Sequence, residues 1–188
     1  MGHGSFFDDN AREDAAADRR GAAAEGDLGL RIGRDGTWYD RGSPIRRPAL
    51  VKLFASVLRR DDSSGEYWMV TPVERGRVAV DDAPFVAVEL RTEGAGRGAR
   101  LDLRTNLDVW VPVGPDHPLT VRDGGGGDAA GVPYLGLERG LEARLARPVY
   151  YELVELAVPG PDEAGELDRR RVGVWSRGRF FPLGELEG

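Results

Sequence analysis

Three polar clusters interrupt otherwise apolar stretches of this chain, and their residue types set what chemistry it could do. Asp81-Asp82 runs into Ala83-Pro84-Phe85; two neighbouring carboxylates can hold a divalent metal or exchange protons. The same Asp-Asp-x-Pro order is ordinary turn chemistry, and the turn reading carries more weight. Thr105-Asn106-Leu107-Asp108 closes a strand-like segment, where short polar side chains could receive a ligand or cap the neighbouring backbone. His117-Pro118 holds one of only 2 histidines, the other being His3 near the N-terminus. Such a residue suits either a titrating contact or a structural donor. Arg47 and Arg147 could pair with phosphate or with carboxylates. Lys52 is the sole lysine, a faint hint of a special role.

Several familiar catalytic devices are missing. The chain has no Gly-x-Ser-x-Gly elbow, no Walker-type phosphate loop and no His-Glu-x-x-His. Gly94-Ala95-Gly96-Arg97-Gly98 is glycine-rich but lacks a phosphate loop's spacing and reads as a hairpin loop. With no cysteine, disulfides, thiolate nucleophiles and cysteine-ligated zinc are excluded together, and no metal site or catalytic set emerges. A net charge of -6 argues against general nucleic-acid binding, which needs a basic footprint. No apolar run approaches the roughly 18 residues of a membrane span, and no signal-peptide pattern opens the chain. A cytoplasmic protein with 40% hydrophobic and 31% charged residues is the expectation.

The elements that must position those clusters are organised around a stretch that returns. Ile45-Arg46-Arg47-Pro48-Ala49-Leu50-Val51-Lys52-Leu53-Phe54 comes back 100 residues later as Leu145-Ala146-Arg147-Pro148-Val149-Tyr150-Tyr151-Glu152-Leu153-Val154. Each copy lies near a Trp-containing glycine turn, Gly36-Thr37-Trp38-Tyr39-Asp40-Arg41-Gly42 or Gly173-Val174-Trp175-Ser176-Arg177-Gly178, as expected for one unit used twice. In the first copy Leu50, Leu53, Phe54, Val57 and Leu58 make one helical stripe, with Arg59 and Arg60 complementing the helix end. In the second copy β-branched and aromatic residues let a strand compete, and the recurrence decides for helix, with Tyr150, Tyr151, Leu153, Val154 and Ala157 inward. Alternating segments at 67–71, 78–80, 85–90, 101–104, 109–111 and 119–121 then read as antiparallel strands.

The expected organisation is therefore α+β: a mobile tail (1–27), a first α+β unit (28–122), a glycine-rich connector (123–131) and a second α+β unit (132–188). The two units are duplicated helix-plus-antiparallel-strand structures.

The ordered motifs also resemble a known family. Gly36-Thr37-Trp38-Tyr39, Leu50-Val51-Lys52-Leu53-Phe54, Thr71-Pro72-Val73-Glu74, Val80-Asp81-Asp82-Ala83-Pro84-Phe85, Thr105-Asn106, His117-Pro118-Leu119 and Gly173-Val174-Trp175-Ser176 are similar, in order, to the bacterial domain-of-unknown-function family numbered 1285. The resemblance implies a duplicated α+β core whose second half is loosely like pleckstrin-homology barrels. It also implies a pocket between the halves suited to a nucleotide-like molecule, and a role in signalling or stress response. No activity and no cofactor come with it.

The leading expectation is a non-enzymatic protein holding a small anionic, nucleotide-like ligand in an inter-unit cleft. Its candidate contacts are Arg47, Thr71, Asp82, Phe85, Thr105, Asn106, Asp108 and His117. Two other readings stay open. One is a protein-interaction module docking a partner through Trp110 or Tyr39. The other is a metal-dependent enzyme acting on a phosphorylated substrate through Asp81, Asp82 and His117.

Overall fold

The computed structural model describes residues 24–124, 128–161 and 166–185. Most of the expected mobile tail lies outside these residues, as do the connector's central residues 125–127. Ala24–Asp27, the end of that tail, belong to the first strand.

The described chain is built from five successive three-stranded antiparallel meanders. The first comprises β1 (Ala24–Ile32), β2 (Trp38–Asp40) and β3 (Ser43–Pro44). Helix α1 (Pro48–Ser56) leads into β4 (Leu58–Arg60), β5 (Tyr67–Val70) and β6 (Glu74–Val80). Then follow β7 (Phe85–Glu93), β8 (Arg100–Thr105) and β9 (Trp110–Pro112), and β10 (Leu119–Gly124), β11 (Asp128–Gly136) and β12 (Glu142–Leu145). Helix α2 (Arg147–Glu155) precedes β13 (Val158–Pro161), β14 (Leu167–Ser176) and β15 (Arg179–Glu185). This is the expected α+β class, each helix feeding antiparallel strands. Neither helix is long and apolar enough to cross a membrane.

The duplication is most regular in the sheets. Meanders one and two form a sheet of order β3-β2-β1-β6-β5-β4, and meanders three and four one of order β10-β11-β12-β7-β8-β9. In each, the first strand of the earlier meander lies parallel to the last strand of the later one, β1 beside β6 and β12 beside β7. Each parallel pair ends on apolar partners, Ile32 opposite Val80 and Leu145 opposite Ala87. Such pairs require a long crossover. In the first sheet α1 sits within it; in the second α2 comes only after the sheet is complete.

By compactness the chain forms two units, one ending at Pro84 and taking in Glu138–Leu141, the other holding Phe85–Leu137 and everything from Glu142. The sequence places the end of the first unit at residue 122. The chain divides earlier because β7, starting at Phe85, takes its parallel partner β12 from beyond the glycine run. The strands flanking that run, β10 and β11, pair with each other and lie in one unit.

Both Arg-Pro stretches are helical over nine residues, with proline in the first turn, where its missing N–H costs no hydrogen bond. Their buried faces differ from the expected stripes. In α1 Val51 and Ala55 are buried while Leu53 is 60% exposed; the inward face is turned by one residue, about 100°. The Val57 carbonyl accepts from the Val70 N–H at 2.9 Å, so strand pairing claims Val57 and ends the helix. Leu58, Arg59 and Arg60 belong to β4 rather than to the helix end. In α2 Val149 and Leu153 are buried, whereas Tyr151 and Val154 face outward.

Candidate functional site

The eight residues singled out from the sequence fall in both units. In the first, Arg47 is the exposed residue capping α1, its carbonyl accepting from the Leu50 and Val51 N–H groups. Thr71 closes the β5–β6 turn: its hydroxyl donates to the Glu74 carbonyl at 3.1 Å and accepts from the Glu74 N–H at 3.0 Å. Asp82 is half-buried beyond the end of β6. Its neighbour Asp81 pairs with Arg31 Nη1 at 2.5 Å and donates its backbone N–H to Ile32. The Asp81-Asp82 segment thus continues the β1–β6 pairing.

In the second unit Phe85 is 2% exposed and belongs to the core. Thr105, Asn106 and Asp108 come together in the β8–β9 turn. Buried Thr105 accepts through its hydroxyl from the Leu107 and Val109 N–H groups, the backbone-capping alternative. Asn106 exchanges two bonds with Val86, its amide oxygen accepting at 3.0 Å and its backbone N–H donating at 2.7 Å. This pairing extends the β7–β8 ladder one step beyond the Ala87–Thr105 pair. Asp108, with φ of 65°, accepts from Arg104 Nη1 at 2.8 Å. Arg104 also donates to Glu89, and the two carboxylates hold the guanidinium's pKa above its ordinary value. His117 Nδ1 lies 3.2 Å from the Gly136 carbonyl. These side chains spend their polar atoms on strand ends and turns.

Two concavities stand out among the described residues of the second unit. The larger, about 700 Å³, opens where edge strand β10 meets the β14–β15 hairpin, lined by Leu119, Thr120, Val121, Asp168, Arg171, Pro182, Leu183, Gly184 and Glu185. Its volume is in the range that takes a small-molecule ligand. Arg171 donates to the Pro161 carbonyl at 3.3 Å, and the Asp168 carboxylate accepts from the Arg170 N–H at 2.9 Å. Strand alternation alone would send residues three apart to opposite faces. Here the β13–β14 register jumps, Pro159 facing Val172 and Gly160 facing Asp168, so residues 169–171 bulge and both side chains line one hollow. Sequence periodicity gave no sign of this, because a bulge is invisible to it. The smaller hollow, about 190 Å³, is lined by Arg97, Trp175, Leu167 and the Pro159–Pro161 segment.

The first unit carries a different feature on the outer face of its second meander. Arg59, Trp68 and Arg77 face one another across β4, β5 and β6, and the Arg75 guanidinium lies 4.2 Å over the Trp68 ring. The two aromatics expected to dock a partner are both half-buried and roofed by arginine: Arg31 lies 4.4 Å over Tyr39 and Arg91 4.1 Å over Trp110. Among the described residues no group of three or more His, Asp or Glu could hold a metal ion.

Comparison with other proteins agrees with this division. Residues 20–83 match the N-terminal domain, and residues 84–183 the C-terminal domain, of the family described as protein of unknown function DUF1285. The chain is similar to the crystal structure of a DUF1285 family protein from Silicibacter pomeroyi DSS-3, with 34% identity and a TM-score of 0.77. The match covers 92% of this chain and 94% of that one. A DUF1285 family protein from Shewanella baltica OS155 is 32% identical with a TM-score of 0.52, over 67% of this chain and 90% of that one. No curated protein matches. With both family domains matched in order along one chain, this protein belongs to the DUF1285 family.

Proposed function

We propose that this protein is a non-enzymatic binder of a small anionic, nucleotide-like ligand, held in the β10–β14–β15 depression of its second unit. The observation that supports this reading is the composition of a ligand-sized hollow: one guanidinium, Arg171, flanked by the carboxylates Asp168 and Glu185 and the hydroxyl of Thr120. Guanidinium groups recognise phosphate bidentately, and acidic side chains take ribose hydroxyls in dinucleotide-binding proteins. A lone cation between two carboxylates would disfavour a bare anion and favour a molecule with both phosphate and hydroxyl groups. A cytoplasmic role in signalling or stress response belongs to the same proposal.

Calorimetric titration with nucleoside mono- and diphosphates tests it. Wild-type protein binds one class, and Arg171→Ala weakens that binding at least about tenfold, the worth of a charge-assisted bond. Parallel titration of Arg47→Ala, Asn106→Ala and His117→Ala asks whether the residues expected from sequence contribute. Undiminished affinity in Arg171→Ala would remove the ligand from this hollow.

A second reading, a protein-interaction surface, draws on α2 and the chain leaving it. Tyr151, Val154, Leu156 and Val158 are 61, 44, 42 and 38% exposed, and apolar side chains clustered at the surface often mark partner contacts. Among the described residues the metal-dependent enzyme reading has no comparable donor set behind it.

A further inference from the structure

We propose that the free edge of β10 is the base-recognising wall of the depression, holding a planar nucleobase by its hydrogen-bonding edge through the backbone of Leu119 and Val121. This wall takes one part of the ligand proposed above, and its role rests on that reading. β10 is an outer strand of its sheet, with β11 on one side and no strand on the other. The Gly136 N–H donates to the Pro118 carbonyl at 2.9 Å, while Leu119 faces Leu135, Thr120 faces Tyr134 and Val121 faces Pro133. In an antiparallel pair, bonded and non-bonded partners alternate. With Pro118 and Gly136 bonded, Thr120 is the next residue to bond β11, and Leu119 and Val121 turn their N–H and C=O groups the other way. Both residues line the depression, and no described residue takes up those groups there.

Leu119 is only 4% exposed, and an unpaired backbone group so little hydrated carries a desolvation penalty. Each of the two residues sets an N–H donor beside a C=O acceptor. The complement is a rigid group with an acceptor beside a donor, which is what a nucleobase presents on its Watson–Crick edge. An inorganic phosphate or a sugar phosphate has no such planar edge. Pro182 and Leu183 add apolar surface to the same hollow, as the faces of a ring require. The bonding groups are neutral backbone and depend on no balance of charges. Arg171, Asp168 and Glu185 remain for phosphate and ribose.

A peptide strand offers the same donors and acceptors, and the facing wall disfavours it. β15 is also an outer strand, and its Cα atoms come within 8 Å of those of β10. A strand laid between two others needs two strand spacings, roughly 10 Å. The edge of β15 is blunted as well. Ser176 and Arg179 close its two-residue turn, and alternation from that pair leaves Pro182, opposite Gly173, with its backbone turned outward. Proline has no N–H to give to a ladder. The hollow therefore has one bonding wall, suited to a flat group held by a single edge.

Calorimetry compares the common ribonucleoside monophosphates with ribose 5-phosphate, which keeps the charge and the sugar and lacks the base. At least one nucleotide binds wild-type protein saturably and about tenfold or more tightly than ribose 5-phosphate. Methylating that nucleotide's base on its Watson–Crick edge removes most of the difference. Val121→Pro deletes the outward N–H and spares the β10–β11 bonds, since proline is tolerated where the N–H faces out of an edge strand. It weakens nucleotide binding several-fold to about tenfold and narrows the gap to ribose 5-phosphate. Equal affinity for nucleotides and ribose 5-phosphate, both weakened by Arg171→Ala, would overturn the base wall and leave the ligand reading standing. Full affinity for the edge-methylated nucleotide would overturn the wall too, whatever Val121→Pro does to folding. No binding of any of these probes would overturn the ligand reading itself, and the wall with it.

Discussion

The molecule makes the same small hairpin twice and uses it in two different ways. Trp38-Tyr39-Asp40-Arg41-Gly42 and Trp175-Ser176-Arg177-Gly178 each carry a tryptophan strand into a two-residue Arg-Gly turn, Asp40 facing Ser43 and Ser176 facing Arg179. In both turns arginine and glycine have positive φ, 47° and 85° in the first, 50° and 77° in the second. That is the tight turn whose twist suits a hairpin. The first turn makes one further backbone bond, Arg41 N–H to the Gly29 carbonyl at 2.9 Å. The second locks a sheet. Ser176, fully buried, accepts from the Leu101 N–H at 3.1 Å and donates to the Val113 carbonyl at 2.7 Å. Arg177 donates to the Leu101 and Val113 carbonyls and to the Asp102 carboxylate at 2.7 Å. Local sequence makes the turn, and its neighbours decide what the turn is for.

Substitutions can break that contrast. Ser176→Ala should cost the most, about 2 kcal/mol in urea unfolding, because it strands the buried Leu101 N–H and weakens the bonding at the Val113 carbonyl; the matching Asp40→Ala should cost little. Arg177→Ala should follow at about 1.5 kcal/mol, since its charge-assisted bonds are partly exposed, and should speed hydrogen exchange in β8 and β9. Gly42→Ala and Gly178→Ala should lower thermal stability about equally, by about 1 kcal/mol, as a Cβ meets nothing within 4 Å at either site. Unequal costs would mean the turns are not locally alike. Arg41→Ala should change stability by less than about 0.5 kcal/mol, as at ordinary surface sites.

A finer test uses another turn, at Asp61. Hydrogen bonds from the Ser63 hydroxyl and then the Ser64 backbone hold its carboxyl well below the ordinary range. A depressed pKa stabilises the folded state above the unfolded value of about 3.9, and that contribution is lost as pH falls through the folded value. NMR titration should therefore show Asp61 still ionised, and its loop intact, when exposed unbonded aspartates have protonated. Asp61→Asn should abolish the titration.

What could be read in advance followed local physics. Pro48 and Pro148 announced helix starts, and alternation announced most strands. The Ser176-Arg177-Gly178 turn was visible as composition. The short strands β2, β3 and β13 were not, since two to four residues carry too little periodicity. The Thr105–Asp108 turn was recognisable as a polar cluster at a strand end, where backbone capping was one of two readings. The depression at Arg171 had no sequence signal, because the bulge at residues 169–171 joins side chains that alternation separates. The Trp68 face had a weak one: Arg75 and Arg77 share a face by spacing alone, but only the register of β4 and β5 adds Arg59 and Trp68.

By itself, then, the sequence determined the secondary-structure class, the two proline-started helices, the glycine turns and the family, all of which depend on residues close in the chain or on their order. Tertiary structure decided which helical face went inward, where the chain divides, and which charged groups meet. In α1 the stripe of larger side chains lost to Val51 and Ala55 because strand pairing at Val57 shortened and fixed the helix. The division at Pro84 came from a parallel pairing between β7 and β12 across more than fifty residues, and no local pattern encodes a partner so far away.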